Sequence, residues 1–177
     1  GGGGAGGRRA GAAHRGKLGS LGMAGRCNEL GVAGGGECVV GIGDGDRVWT
    51  EFGGRVVGAT RPDVEVVFSD HYLIGAEGRR LEAESVAYSQ RYGRDQLPAG
   101  LLENPEAAAW RQSIPMSASL LRTATMQRLR FREDMNTPDA EFFIRLSAAN
   151  ARFLFVPQCL MESRVHLGAG TAGGLSG

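Results

Sequence analysis

Cysteine is scarce in this chain: Cys27, Cys38 and Cys159 are its only three among 177 residues. They are too few and too widely spaced for a disulfide framework or for the paired Cys-x-x-Cys ligands of a zinc site. We therefore expect a protein that folds without disulfide bonds, as is typical of a reducing compartment.

Net charge and long apolar runs are lacking as well. Lys and Arg total 20 against 19 Asp and Glu, which argues against the strongly basic surface of nucleic-acid-binding domains. No run approaches the ~18 apolar residues of a membrane-spanning helix, and the first residues carry no apolar core of a signal peptide. We expect no nucleic-acid partner, no transmembrane segment and no secretory leader. The expected location is cytoplasmic, which permits peripheral contact with the cytoplasmic face of a membrane.

Glycine, in contrast, is abundant and unevenly distributed, with 21 of the 30 glycines in the first 60 residues. Residues 1–20 are rich in Gly and Arg and carry one large apolar residue, Leu18, so we expect them to be disordered. A flexible tail is expected at 171–177. Residues 21–170 are the expected folded domain, and their composition is that of a globular protein.

Two glycine patterns near the start match nucleotide-binding loops. Gly2, Gly4 and Gly7 fit G-x-G-x-x-G, and Gly11, Gly16 and Lys17 fit G-x-x-x-x-G-K. Such loops follow a strand, and the second also needs a Ser or Thr after the lysine, where this chain has Leu18. We therefore reject a nucleotide-hydrolysing domain built on these glycines.

The pattern of apolar residues predicts an α/β fold. The apolar run at 38–43 predicts a strand that ends in Asp44-Gly45-Asp46, residues 48–60 predict a helix, and residues 64–70 predict a second strand. A strand, a helix and a strand in succession indicate a parallel pair with a right-handed crossover.

The rest of the chain predicts a loop-rich insertion followed by two further strands and two helices. Residues 71–114 contain a turn at 75–78 and little else of regular pattern. A strand at 114–121 leads into a short helix at 123–129. Thr137-Pro138-Asp139 is a strong helix start, Asn150 suits the end of that helix, and residues 152–157 predict a strand.

Several polar residues sit where they could act on a ligand, and each also has a simpler explanation. Asp44 and Asp46 follow a buried strand and suit Mg²⁺ or Mn²⁺, or they form a solvated turn. Asp139 lies in the first turn of a helix, where the dipole favours an anion. Asp70 and His71 either line the same cleft or are turn residues.

The order of these motifs resembles the family 2 glycosyltransferases of GT-A fold over roughly residues 19–170. The segment GMAGRCNELGVAGGGECVVGIGDGDRVW is similar to the family's small-residue helix, its Gly-Glu pair, its apolar strand and its Asp-x-Asp motif. The segment from 114 to 166 is similar to the family's later strand, short helix, acidic helix start and Arg-x-His segment. The fold class expected is thus α/β, with a nucleotide-diphospho-sugar transferase sheet and flanking helices.

The resemblance implies a role for each matching residue. Asp46 would bind the Mg²⁺ or Mn²⁺ that holds the diphosphate of the donor, and Asp44 would lie against the ribose or the metal. The helix that carries Arg26 and Asn28 would contribute to donor binding. Asp139 would be the general base, and the expected cleft brings Asp44, Asp46 and Asp139 together.

His166 closes the Arg-x-His segment. Imidazole nitrogen is an acceptable ligand for manganese, so we predict that His166 is a second ligand of the metal or a contact of the diphosphate. The simpler alternative is a surface histidine on a glycine-flanked tail, since a lone histidine is seldom a ligand.

The implied activity is transfer of a sugar, with inversion, from a nucleotide-sugar donor such as a UDP-sugar to an acceptor hydroxyl on a glycan or a lipid-linked acceptor. The family's Pro-Thr-Tyr-Asn-like turn and Asp-Asp-Gly-Ser-like segment have no match here. We therefore expect a partial catalytic domain over 21–170, with N-terminal strands missing or atypical and activity truncated or weak. The alternative is a non-catalytic remnant that binds carbohydrate or protein.

Overall fold

The computed structural model describes residues 23–33, 36–43 and 45–165, without the side chains of Arg26 and residues 30–33. The predicted disordered segment 1–20, the tail 171–177, Asp44 and His166 lie outside the described residues. The described part is an α/β structure with a mixed six-stranded sheet and flanking helices. The predicted α/β class is therefore confirmed.

The strands are β1 (Cys38–Val40), β2 (Arg47–Val48), β3 (Val66–Ile74), β4 (Gly100–Leu101), β5 (Ser119–Arg122) and β6 (Phe153–Arg164). The helices are α1 (Met23–Ala33), α2 (Thr50–Phe52), α3 (Glu82–Arg91), α4 (Pro105–Trp110), α5 (Thr123–Leu129) and α6 (Pro138–Ala148). A π-helical turn (Gly53–Val57) extends α2, and a 3₁₀ turn (Arg94–Gln96) follows α3.

The strand order is β1-β5-β3-β6-β2, and β4 also pairs with β6. Strands β3 and β6 are parallel, whereas β5 is antiparallel to both β1 and β3. β1 and β3 run in the same direction, as predicted, because both are antiparallel to β5. The prediction that they pair directly was wrong, because β5 lies between them and its Leu121 pairs with Val39 on one side and Val66 on the other. Local sequence pattern identifies strands, but long-range packing decides which of them are neighbours.

Both faces of the sheet are covered by apolar side chains. One face packs against α1, α4, α5 and α6, and its largest fully buried side chains are Phe68, Phe142, Phe143 and Phe153. The other face packs against α2 and the π-helical turn through Val67, Leu120, Met161, Phe52 and Val56. Burial on both faces fits strands that read as near-continuous apolar runs.

The insertion after β3 is more regular than the sequence predicted. β3 itself continues to Ile74, and α3, the 3₁₀ turn, β4 and α4 occupy most of residues 82–110. The polar helix α3 is held by a tertiary contact, since the Ser85 hydroxyl accepts a hydrogen bond from the Leu73 backbone at 2.9 Å. The polar sequence of α3 therefore carried no clear helical pattern, and packing against β3 stabilises the helix.

Other local predictions agree with the structure. The turn at 75–78 is closed by a hydrogen bond from Gly78 N to Gly75 O at 2.9 Å. Helices α5 and α6 occupy the predicted positions, α6 with Pro138 in its first turn. Asn150 lies one residue beyond the C-cap Ala149, with a φ of 60°, which is the left-handed conformation typical of that position.

Strand β6 is longer than predicted, because the chain continues in the sheet beyond Pro157. Val156 pairs with Ser69, and the next paired residue, Cys159, pairs with Asp70. Pro157 and Gln158 are therefore extra residues in a bulge, where a proline does not have to donate a hydrogen bond to a neighbouring strand.

Candidate functional site

The bulge in β6 opens a cleft of about 190 Å³ between β3, β6 and the 3₁₀ turn. The residues that line it are Asp70, Arg94, Asp95, Leu97, Phe155, Pro157, Gln158 and Cys159. We call this the bulge cleft. Bulges are frequent beside functional sites because they redirect side chains and interrupt pairing.

Asp70 is the acidic group at the base of the bulge cleft, and three donors surround its carboxylate. Arg94 Nε donates to Oδ1 at 2.7 Å, the Ser89 hydroxyl donates to Oδ2 at 2.5 Å, and the His71 backbone N–H donates to Oδ1 at 2.9 Å. Burial alone would raise the pKa of Asp70, but the charge of Arg94 and these hydrogen bonds lower it below its ordinary value. Asp70 therefore remains ionised within the protein.

Arg94 is a buried cation with an unused donor. The residue is 2% exposed, and its guanidinium lies 5.1 Å from the centroid of Tyr88 and 5.5 Å from that of Tyr92. Its Nη2 is buried and has no hydrogen-bond partner. An unsatisfied buried donor costs about 1–3 kcal/mol in stability. A ligand oxygen that accepts from Nη2 would offset this cost, since the described residues provide no acceptor.

His71 lies beside this pair but outside the bulge cleft. It is 5% exposed, and burial, together with the nearby charge of Arg94, lowers its pKa to about 4 despite the opposing effect of Asp70. Its Nδ1 is 3.9 Å from Asp70 Oδ1 and makes no hydrogen bond within the described part of the chain. The imidazole is thus neutral at pH 7. The alternative that Asp70 and His71 are turn residues is wrong, because both lie within β3.

The neighbouring Ser89 does not complete a catalytic triad. In a Ser-His-Asp triad the histidine lies between the serine and the aspartate. Here the Ser89 hydroxyl bonds directly to Asp70, and His71 Nδ1 has no partner. Burial also raises the pKa of the Cys159 thiol to about 11, so Cys159 is a neutral thiol rather than a nucleophilic thiolate. Nucleophilic catalysis by these groups is therefore not supported.

Asp139 lies in the first turn of α6. It is partly exposed, and its carboxylate makes no hydrogen bond or ion pair with the described residues. Burial raises the pKa of Tyr88 to about 12, with smaller contributions that include the charge of Asp139.

Asp46 holds the end of β6 to the turn that precedes β2. Gly43 N donates to Asp46 Oδ2 at 3.0 Å, and Arg164 N donates to Oδ1 at 2.8 Å. Gly45 between the two motif positions has a φ of 86°, and an added Cβ would lie 2.5 Å from Arg164 Nε. The glycine of this turn is therefore required both by its backbone conformation and by the arginine packed on it.

The surroundings of Asp46 do not by themselves form a metal site. Both carboxylate oxygens accept a backbone N–H, and Arg164 places a positive charge against the same turn, with Nε 3.2 Å from Gly45 O. Among the described residues, no three His, Cys, Asp or Glu side chains are grouped so that they could hold a metal ion. The predicted partners of Asp46, namely Asp44 and His166, lie outside the described residues.

Asn28, the other described residue of the predicted donor site, connects α1 to the loop before α6. Its Nδ2 donates to Phe131 O at 2.9 Å and to Glu133 Oε1 at 3.2 Å, and its Oδ1 accepts from Phe131 N at 2.7 Å. The residue is 5% exposed. Its amide group is thus used within the protein, whereas the Arg26 side chain is not described.

A second polar cluster lies near the far ends of β3 and β6. Arg80 stacks 4.0 Å from the centroid of Tyr72 and 5.2 Å from that of Trp49. Its Nη2 donates to Glu162 Oε1 at 2.8 Å, and Arg47 Nη1 donates to Glu162 Oε2 at 3.5 Å. The charges of this cluster are paired with one another, unlike the free donor of Arg94.

The described site residues have separate sets of contacts. Asp70 pairs with Arg94 beside Tyr88, whereas Asp46 contacts Gly43 and Arg164 at the end of β6. The cleft shared by Asp46 and Asp139 stays a prediction. Sequence reasoning missed Arg94, which stands in a polar stretch without a recognisable motif. Proline within the apolar run of β6 was the available signal for the bulge.

Comparisons with known proteins add no assignment: no protein-family model matches the sequence, and no curated protein matches it significantly. Within the described residues, no helix is both long and apolar enough to cross a membrane.

Proposed function

We propose that this chain is the catalytic part of an inverting glycosyltransferase that moves a sugar from a nucleotide-sugar donor to an acceptor hydroxyl. The observation that carries the proposal is the position of Asp139. Its carboxylate lies in the first turn of α6, where the helix dipole favours an anion, and has no partner among the described residues. The similarity of segments 22–49 and 114–166 to family 2 glycosyltransferases supports the same function, and the GT-A fold is part of the proposal.

In this reaction Asp139 acts as the general base. Its carboxylate accepts the proton of the acceptor hydroxyl while the hydroxyl oxygen forms a bond to the anomeric carbon of the donor. The bond from that carbon to the diphosphate breaks, and the nucleoside diphosphate leaves with the bonding electrons. A single displacement of this kind inverts the anomeric configuration.

A Mg²⁺ or Mn²⁺ ion at Asp46, with Asp44 and His166 as further contacts, would neutralise the charge that develops on the leaving diphosphate. The hydrogen bonds to Gly43 and Arg164 orient the Asp46 carboxylate at the end of β6. Each oxygen accepts one of these bonds, and a carboxylate oxygen has two lone pairs. Ligation by Asp46 is therefore compatible with its structural role.

The proposal includes the remaining expectations on partners and location. The donor is a UDP-sugar or a related nucleotide sugar, and the acceptor is a glycan or a lipid-linked acceptor. The reaction is assigned to the cytoplasm or to the cytoplasmic face of a membrane.

The test measures UDP binding to the full chain by calorimetry, with and without Mn²⁺, and release of UDP from a panel of UDP-sugars. We expect micromolar UDP binding that requires Mn²⁺. Asp139→Asn is expected to keep this binding and to lower turnover by about 10²–10⁴-fold, the usual contribution of a general base. Asp134→Asn, at an exposed aspartate just before α6, is the matched control and should keep full turnover.

Full turnover in Asp139→Asn would overturn the proposal. Absence of UDP binding in millimolar Mn²⁺ would overturn it for a UDP-sugar donor. The non-catalytic alternative gains support if UDP fails to bind while a simple sugar does bind, because the bulge cleft is then a recognition site without a donor site.

A further inference from the structure

We propose that the bulge cleft binds one neutral sugar ring, which under the proposed function is the acceptor ring that carries the attacking hydroxyl. Only the identification of this ring as the acceptor rests on the proposed function. Binding of a neutral sugar ring in the cleft does not depend on it. Its physical basis is the size of the cleft, its unsatisfied polar groups and its charge balance.

The size of the cleft suits a single small ring. Its volume is about 190 Å³, which is less than the roughly 300–1,000 Å³ of pockets that enclose drug-sized ligands. A nucleotide is too large for this space. The volume of one sugar ring, which could enter from the open side, is close to that of the cleft.

The polar groups of the cleft complement hydroxyls. Arg94 lines the cleft and has a buried Nη2 without a partner, so it can donate to a hydroxyl oxygen. Asp95 is exposed at the rim and makes no hydrogen bond or ion pair with the described residues, so its carboxylate can accept from a hydroxyl. The exposed amide of Gln158 can do either. A hydroxyl both donates and accepts, and adjacent hydroxyls match such a mixed set.

The charge balance selects a neutral ligand. The positive charge of Arg94 is compensated by Asp70 at 2.7 Å, which leaves the carboxylate of Asp95 uncompensated. Cys159 adds no charge, because its thiol is protonated at neutral pH. Among the residues that line the cleft, the two carboxylates therefore outnumber the one cation. This excess opposes a phosphate or a carboxylate and does not oppose a neutral polyhydroxyl ligand.

The remaining wall of the cleft is apolar. Leu97, Phe155 and Pro157 provide carbon surface beside the polar groups. A sugar ring has C–H faces as well as hydroxyl edges, and mostly apolar walls with a few placed polar groups are typical of small-ligand sites. Burial of one C–H face on this wall would supply affinity, while Arg94, Asp95 and Gln158 would set the orientation.

The size of the cleft also decides which substrate of the proposed reaction could occupy it. A nucleotide-sugar donor is too large for a volume of about 190 Å³. Under the proposed function the occupant is therefore a ring of the acceptor.

The experiment uses saturation-transfer NMR on the full chain with methyl glucoside, methyl galactoside and methyl N-acetylglucosaminide as neutral probes. Glucuronate and inorganic phosphate are the anionic probes. At least one neutral glycoside is expected to bind in the millimolar range. Asp95→Asn and Gln158→Ala are each expected to weaken that binding fivefold or more, since both side chains are exposed and their replacement leaves the core intact.

Glu103→Gln is the matched control, because Glu103 is an exposed acid outside the cleft, and it should leave glycoside binding unchanged. The inference is overturned if no neutral glycoside binds or if the two cleft variants bind as well as the unmodified chain. Tighter binding of phosphate or glucuronate than of the neutral glycosides would overturn it too, in favour of an anion site at Arg94.

The outcomes separate this inference from the proposed function. If a glycoside binds in a manner that depends on Asp95 and UDP does not bind, the sugar subsite is supported and the transferase function with a UDP-sugar donor is contradicted. If turnover depends on Asp139 but Asp95→Asn does not change the acceptor concentration for half-maximal rate, the transferase function is supported and the sugar subsite is contradicted.

Discussion

Arg94 donates from its Nε to Asp70 Oδ1 at 2.7 Å, and the side chain of Arg94 is only 1% exposed in this pair. The ion pair joins the middle of β3 to the 3₁₀ turn after α3. Arg94 lies away from water and Asp70 is 14% exposed, so Arg94 depends on Asp70 for its counter-charge. Ser89 and His71 add two further hydrogen bonds to Asp70.

Loss of Arg94 is therefore expected to be costly. Arg94→Met leaves the Asp70 carboxylate without its counter-ion, and removal of one partner of a buried pair typically costs about 3–5 kcal/mol. Urea unfolding followed by circular dichroism measures the change. The control is Arg152→Met, because the Arg152–Asp63 pair is 50% exposed on both sides and such surface pairs contribute about 0–1 kcal/mol. Equal losses in the two variants would contradict the assignment of a buried pair.

Stability should fall between pH 6.5 and pH 4 because of His71. Its pKa is lowered from 6.5 to about 4 in the folded protein, mainly by burial and then by the charge of Arg94. In this window the unfolded chain binds a proton that the folded chain does not, so stability decreases as pH falls. The decrease is about 3 kcal/mol in total, at about 1.4 kcal/mol per pKa unit. Above pH 6.5 the contribution of His71 is constant.

Urea unfolding at several pH values tests this effect, with His71→Gln as the variant that removes it. The difference between the two curves should slope between pH 6.5 and 4. The groups that face His71 are Arg94, Asp70 and Tyr88. Of these, Asp70 has a pKa below its ordinary 3.8, so its own stabilisation is lost only at more acidic pH. Parallel curves would mean that His71 is protonated as easily in the folded protein as in the unfolded chain.

Asn28 should prove to be a structural link. Asn28→Asp keeps the oxygen that accepts from Phe131 N but removes the donor to Phe131 O and brings a carboxylate towards Glu133. The expected loss of stability is about 1–3 kcal/mol, the cost of an unsatisfied buried group. Asn104→Ala, which removes an exposed N-cap of α4, is the comparison and should cost about 1 kcal/mol. If the midpoint of urea unfolding is the same for Asn28→Asp and the unmodified chain, Asn28 does not stabilise the fold.

The sequence predicted those parts of the fold that depend on local signals. Pro138 and Asp139 mark the start of α6 because a proline in the first turn and an acid near the dipole are local preferences. The place of β5 between β1 and β3 depends on contacts between residues that are far apart in the chain. No periodicity within residues 38–70 could have indicated that Leu121 pairs with Val39 and Val66.

The residues of the candidate site also divide into those that local sequence signals predict and those that only the fold brings together. Asp139 was predicted because a helix start is local, and its carboxylate has no partner among the described residues. Arg94 and Ser89 were missed because their importance comes only from their meeting with Asp70 across the fold. Pro157 was taken as the end of a strand, although it lies in a bulge within a longer one.

The last prediction concerns Asp46, whose carboxylate has a structural role and a proposed ligand role. Asp46→Asn offers one oxygen and one NH₂ group where two backbone N–H groups, of Gly43 and Arg164, now donate. One donor then faces another, and stability in EDTA should fall by about 1 kcal/mol, near the low end of the usual cost because this residue is partly exposed. Urea unfolding with and without Mn²⁺ separates the two roles.

If Asp46 is a ligand, Mn²⁺ stabilises the unmodified chain by mass action and stabilises Asp46→Asn far less. Asp134→Asn, at an exposed aspartate away from this turn, should respond to Mn²⁺ as the unmodified chain does. Equal stabilisation of the Asp46 variant would leave that carboxylate with its structural role alone. The loss in EDTA would persist in either case, because the hydrogen bonds to Gly43 and Arg164 require no metal.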